Sequence, residues 1–211
     1  MRITVFGATG GTGRHVVQQA LDAGHEVVAV VRDPARLATP PREGLTVRTA
    51  QLDDRAAVLR AVADTDAVVD ALGARTSGPT TFRADAARVI TAAMRDAGVR
   101  RLVAVSASGA HRDGDAWPIR VVVKPLLGLV LRHQFADMLA MEEVVRGSGL
   151  DWTIVLPPRL TDRPATGRIA RRVGGNVRGS YSMTRADLAT AVLQAVTDEG
   201  VRSAALSVAA G

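Results

Sequence analysis

Apolar residues fall along this chain in two alternating rhythms. Short β-branched runs at Arg2–Phe6, Glu26–Val31, Leu45–Arg48, Ala67–Ala71, Arg101–Val105, Trp152–Leu156 and Ala205–Val208 predict strands. Between them, residues 12–23, 54–63, 82–97, 134–148 and 185–197 carry apolar positions at helical spacing. In the first of these helices Val16, Val17, Ala20 and Leu21 form one stripe. Gly24 and Gly98 stand where a helix that ends in a left-handed residue calls for glycine. Thr184 followed by Asp187 reads as a helix start: a hydroxyl cap, then an acid near the positive end of the helix dipole. Strands and helices in strict alternation predict an α/β fold, a Rossmann-type doubly wound parallel sheet with helices on both faces. The segment 111–132 breaks the rhythm with Gly, Trp-Pro and Lys-Pro punctuation. Its apolar part, Val121–Leu131, fits a substrate lid, an oligomer face or a buried helix.

Composition narrows what such a sheet could serve. A length of 211 residues suits one domain, with a small substrate-side region near residues 157–183. Hydrophobic residues make up 47% but only six residues are aromatic, so Ala, Val and Leu must fill the interior. The absence of cysteine excludes disulfides, Cys-ligated zinc and thiol nucleophiles. His15, His25, His111 and His133 are scattered without ligand spacing, so no metal site is expected. The net charge of +6 includes a single lysine, Lys124, and arginines interleaved with acids almost everywhere. Only 159–178 is locally basic, which fits a solvated surface and anionic ligands better than nucleic acid. The apolar run at 121–131 falls short of the roughly 18 residues a membrane span needs. Met1 leads straight into a strand, so the expectation is a cytoplasmic protein, monomeric or homodimeric, with no signal peptide and no membrane partner.

The chemistry begins where the first strand ends. Arg2–Phe6 is followed by Gly7-Ala-Thr-Gly10-Gly-Thr-Gly13 and then by a helix. Glycines spaced G-x-x-G-x-x-G give a tight turn, bare backbone for a pyrophosphate, and close helix–strand packing. The helix start adds free N–H groups and a positive dipole end. A purely structural glycine turn is the alternative. Adenosine specificity is read about 20 residues beyond the loop, at the end of the second strand. There the chain has Arg32 and Arg36 rather than an acid, a pair suited to a 2′-phosphate, so NADPH is expected ahead of NADH. The competing reading pairs Arg32 with Asp33 or Glu43 at the surface.

These residues, with VVRDPARL at 30–37, DAVVDALG at 66–73, VVRGSGLDWTIVLPPRLTDRPATG at 144–167 and SMTRADLA at 182–189, resemble the atypical short-chain dehydrogenase/reductase group. Within it the nearest likeness is to NAD(P)H-binding (NmrA-like) proteins of the flavin reductase/biliverdin-IXβ reductase kind. The resemblance implies that Gly7, Thr9, Gly10, Gly11, Thr12 and Gly13 line the pyrophosphate and that Arg32 and Arg36 hold the adenosine phosphate. It places Gln51 and Leu52 at the adenine, although the family usually has Asp where Gln51 stands. It sets Ala71, Leu72 and Gly73 at the ribose and Ser106 on the nicotinamide side.

What is missing is as informative. Tyr-x-x-x-Lys, the acid–cation pair of the wider superfamily, cannot be formed: Tyr181 is the only tyrosine and Lys124 the only lysine. A reductase of flavins, bilins or similar conjugated small molecules needs no such pair, because hydride passes directly to an electron-poor acceptor and solvent supplies the proton. Ser106 and Ser108, just past the fifth strand, are the candidate catalytic hydroxyls. The family's serine aligns with Ala107 between them, and an ordinary strand-end hydrogen bond is the alternative for Ser106. Arg159 stands where the flavin reductase has a histidine and is a candidate for an anionic acceptor, or else pairs with Asp162. His111 is a candidate substrate residue or an ordinary loop residue. Two other functions fit the same motifs: an NADP(H)-binding redox sensor that regulates without turnover, and a pathway-specific tailoring enzyme.

Overall fold

The computed structural model describes residues 1–74, 78–111 and 124–211, with backbone alone over 124–130. The strands are β1 (Arg2–Phe6), β2 (Glu26–Val31), β3 (Leu45–Thr49), β4 (Ala67–Asp70), β5 (Arg101–Val105), β6 (Asp151–Leu156), β7 (Arg159–Thr161), β8 (Ile169–Val173), β9 (Ser182–Thr184) and β10 (Ala204–Ala210). The helices are α1 (Gly13–Asp22), α2 (Arg55–Val62), α3 (Phe82–Asp96), α4 (Lys124–Arg146) and α5 (Arg185–Thr197). Eight strands form one sheet in the order β3-β2-β1-β4-β5-β6-β10-β8, parallel except for β8, which runs against β10. β7 and β9 form a separate parallel pair. The strand order reverses between β1 and β4, the point where open α/β sheets take ligands.

Each strand feeds both faces of the sheet, as period-2 geometry requires. On one face Ile3, Val5, Val27, Ala29 and Val69 pack with Val16, Val17 and Ala20 of α1 and with Leu188 and Val192 of α5. On the other, Phe6, Val68, Leu102 and Ile154 pack with α2, α3 and α4 through Val58, Ile90, Met94 and Met141. Thr4 also faces α2, and its hydroxyl donates to the carbonyl of Ala61. Burying each such aliphatic side chain contributes about 1.5–3 kcal/mol.

Three buried polar groups tie the helices to each other and to the sheet. The Asp137 carboxylate on α4 accepts the N–H groups of Arg83 and Ala84, so one helix caps the first turn of another. Arg101 on β5 donates to the Val196 and Ala195 carbonyls at the end of α5, where a cation complements the helix dipole. Asp187 accepts the N–H groups of Thr166 and Gly167 and the hydroxyls of Thr166 and Thr184. The RPATG stretch at 163–167 is thereby fastened to the start of α5. These bonds, with the cap that Thr184 Oγ1 gives the Asp187 N–H, hold the Asp187 carboxyl below its ordinary range against the opposing push of burial.

Several expectations are corrected here. α4 starts at Lys124 rather than near residue 134, with a break in helical geometry at Leu131. Pro125 is tolerated because the first turn of a helix needs no N–H donor there. β7, β8 and β9 were not legible as strands, and β4 stops at Asp70 because the Asp70 carboxylate accepts the Leu72 N–H and turns the chain. Of the apolar segment Val121–Leu131, residues 121–123 lie outside the described residues. Among the described residues no helix is long and apolar enough to cross a membrane.

Candidate functional site

The C-terminal ends of β1, β2, β4 and β5 open onto a cleft of about 850 Å³. Its floor is the glycine loop. Gly7 has φ +80°, and a β-carbon there would stand 2.6 Å from the Ala71 carbonyl oxygen. The Gly10 N–H closes the turn on the Gly7 carbonyl at 2.8 Å. Gly13 does not line the cleft; its role is packing, because a β-carbon on it would stand 2.1 Å from the Gly7 oxygen. Thr12 precedes α1 without a side-chain cap; the Arg14 and His15 N–H groups fold back onto the Gly10 and Thr12 carbonyls, so the amides that suit an anion are those of Gly11, Thr12 and Gly13.

Other cofactor candidates converge on the same space. Thr9, Gly10, Gly11 and Thr12 line it at the loop, and Arg32 and Arg36 at the end of β2. Gln51 and Leu52 follow β3, and Ala71, Leu72 and Gly73 follow β4. Among the described residues no ion pair holds Arg32 or Arg36: Asp33 instead accepts the Ala35 N–H and caps a short 3₁₀ turn. The alternative surface pairing of Arg32 is therefore not formed.

Ser106 lines the cleft beyond β5, but its hydroxyl donates to Glu142 Oε1 at 2.6 Å. His111 Nε2 lies 2.9 Å from the same oxygen, and Arg146 Nη2 donates to Oε2 at 2.6 Å. Burial pushes the Glu142 carboxyl up, yet the bonds from His111 and Ser106, the His111 charge and the Arg146 bond outweigh it and hold the group below its ordinary range. Ser106 therefore presents lone pairs, not a proton, to the cleft. His111 meets this cluster through Glu142 and is not among the described residues that line the cleft. Ser108 also lies outside it; its N–H donates to the Pro157 carbonyl. Arg159 is exposed on β7 and away from the cleft, and Asp162 pairs with Arg14 and Arg185 instead.

Four of the cleft residues that sequence reading passed over bear on its chemistry. Met138 of α4 contributes an apolar side chain and Leu160 of β7 another. Arg83 brings a side chain only 10% exposed, ion-paired with Asp137 at 3.6 Å, whose Nη1 has no hydrogen-bond partner. Arg185 reaches the phosphate loop from α5. Its position was visible as a cation on the first residue of a predicted helix, against the dipole. Below the cleft, burial pushes the Asp70 carboxyl up to about 6, opposed by the Leu72 N–H and the Arg83 charge.

The glycine cradle, the uncapped helix start and the unpaired guanidiniums together fit a phosphorylated dinucleotide. The family described as NAD(P)H-binding matches residues 7–199 of the chain. A (4-alkanoyl-5-oxo-2,5-dihydrofuran-3-yl)methyl phosphate reductase of Streptomyces griseus is 33% identical over 212 residues, covering 98% of this chain and 67% of that protein. Quinone oxidoreductase 2 of Escherichia coli is 28% identical over 94% of this chain and 65% of its own length. The photosystem II assembly factor Ycf39 of Synechocystis is 37% identical over 83 residues, 39% of this chain, and the match spans only 26% of that protein. Among solved structures, a Veillonella parvula short-chain dehydrogenase/reductase in complex with NADP superposes with TM-score 0.82 at 18% identity, over 99% of this chain and 94% of that one. The anaerobilin reductase ChuY of Escherichia coli superposes with TM-score 0.79 at 23% identity, over 100% and 97%.

Proposed function

The chain belongs to the NAD(P)H-binding family, and we propose that it is an NADPH-dependent reductase that delivers hydride directly to a conjugated small molecule, flavin- or bilin-like in its chemistry. The observation that carries this reading is the make-up of the cleft wall. Among the described residues that line it there is no tyrosine, lysine or histidine, and the Ser106 hydroxyl already donates its hydrogen bond to the Glu142 carboxylate. Reduction of a simple ketone needs an acid at the developing alkoxide. A conjugated acceptor spreads the incoming charge and can take its proton from water.

When bound, the nicotinamide supplies the hydride. The chain's own residues bind, orient and dry the site. Loop amides and the start of α1 receive the diphosphate, and Arg32 and Arg36 suit a 2′-phosphate. Ser106, its hydroxyl donating to the Glu142 carboxylate, is an acceptor for an amide N–H and so an orienting group. Val105, Met138 and Leu160 offer apolar surface that excludes water near Ser106. Holding reactants in place this way contributes several kcal/mol to lowering a barrier. Two relatives support the acceptor class: one is named a reductase of a dihydrofuranone phosphate whose ring alkene is conjugated with carbonyls, and the other a quinone oxidoreductase.

Absorbance at 340 nm, followed with FMN, riboflavin, a quinone and an unsaturated lactone, tests the reading. NADPH oxidation with at least one of them is expected. Tight NADP(H) binding with no oxidation by any would replace it with the redox-sensing alternative.

A further inference from the structure

Gly11 is not one of the three glycines that shape the loop, and its φ lies outside the left-handed region. What it supplies is room. A β-carbon on Gly11 would stand 2.6 Å from Nε and 2.8 Å from Cδ of Arg185, and the three nearest atoms all belong to that side chain. Arg185 thus lies across the phosphate loop from α5, and it lines the cleft there with Thr9, Gly10 and Thr12.

Among the described residues this corner sets two guanidiniums against one carboxylate. α1 and α5 lie against each other, with Gln19 donating to the Ala186 carbonyl and accepting from Thr190. Arg185 is the first residue of its helix, where the dipole disfavours a cation. Arg14 adds a second guanidinium close by. The carboxylate that faces both is Asp162, at 3.1 Å from Arg185 Nη1 and 3.6 Å from Arg14 Nη2. Its side chain is 68% exposed, so water screens what it offers.

We propose that Arg185 is a second clamp on the cofactor's diphosphate, and that Asp162 is a stand-in partner from which the diphosphate takes it. This rests on the dinucleotide reading and adds to it a residue from the far end of the chain. Arg32 and Arg36, at the end of β2, serve the adenosine phosphate. Arg185, over the loop, serves the part common to NADP(H) and NAD(H).

Calorimetry with NADP⁺ and with NAD⁺ tests it, with thermal melts to show that each variant is folded. Binding of NADP⁺ by the parent chain tests the dinucleotide reading by itself. Arg185→Gln is expected to weaken both cofactors by the same factor, about tenfold for one lost charge-assisted hydrogen bond. Arg185→Lys restores part of it, and Asp162→Asn binds at least as tightly as the parent. Two results would overturn the proposal. One is Arg185→Gln without effect on cofactor affinity. The other is Asp162→Asn weakening binding as much as Arg185→Gln does, which would make the ion pair merely structural.

Discussion

The Ser106 hydroxyl donates a hydrogen bond to the carboxylate of Glu142, a side chain with no exposed surface that also receives Arg146 and meets His111. A strand end and the middle of α4 are joined by this bond, and the cleft is left with an acceptor. Glu142→Gln keeps the shape but sets an amide against the Arg146 guanidinium or the Ser106 hydroxyl. It is expected to destabilise the fold by about 1–3 kcal/mol, read by urea unfolding. The folded Glu142 carboxyl is held below its ordinary value, so its stabilisation is present above about pH 4.3 and is lost as pH falls further. The variant's stability therefore falls less steeply below pH 4 than the parent's.

Asp70 carries the opposite sign. Its folded carboxyl is pushed up to about 6, so the neutral form is the favoured one. Stability from this group is full below about pH 4 and drains away as pH rises to 6. A rise of about 2 units corresponds to roughly 2–3 kcal/mol at neutral pH. Asp70→Asn retains an oxygen for the Leu72 N–H and removes the charge. It is expected to raise Tm at pH 7.5 and leave it unchanged at pH 4, as scanning calorimetry at the two values would reveal.

Gly13→Ala sets a β-carbon 2.1 Å from the Gly7 oxygen, and that oxygen belongs to backbone that also forms the loop turn. Neither side has a flexible group to move aside. A loss of at least about 3 kcal/mol is expected, with a collapse of soluble yield or a large fall in Tm.

Arg32→Gln removes a guanidinium with no ion-pair partner among the described residues, so stability is expected to stay within about 0.5 kcal/mol of the parent. NADP⁺ affinity falls about ten- to a hundredfold while NAD⁺ affinity holds, for a fork that grips a 2′-phosphate. Equal losses for both cofactors would contradict the assignment.

Local rules made the first half of the molecule legible. β1, the glycine loop and α1 announce themselves because period, turn chemistry and helix start agree within 25 residues. Arg32 followed from where the second parallel strand ends, and Gln51 and Gly73 from the family resemblance. The remainder depends on contacts between distant segments. Glu142 reads as an ordinary helical acid until α4 is laid against β5, and Asp137 looks like a surface residue until it caps α3. β8 is short and carries Arg171 and Arg172 side by side, so nothing in its pattern marks a strand; pairing with β10 makes it one. Ser108 was read from its place just past β5 and Arg159 from the family resemblance, and neither is among the described residues that line the cleft.

Asp137 and Met138 divide two duties between adjacent positions. The carboxylate of the first latches α4 onto the opening amides of α3, so Phe82, Arg83 and Met138 share one wall of the cleft with Ser106. The side chain of the second lines that wall and takes no part in the latch. Exchange at 138 can therefore reshape the wall while the neighbouring carboxylate keeps the two helices joined, so contour and attachment are free to vary separately.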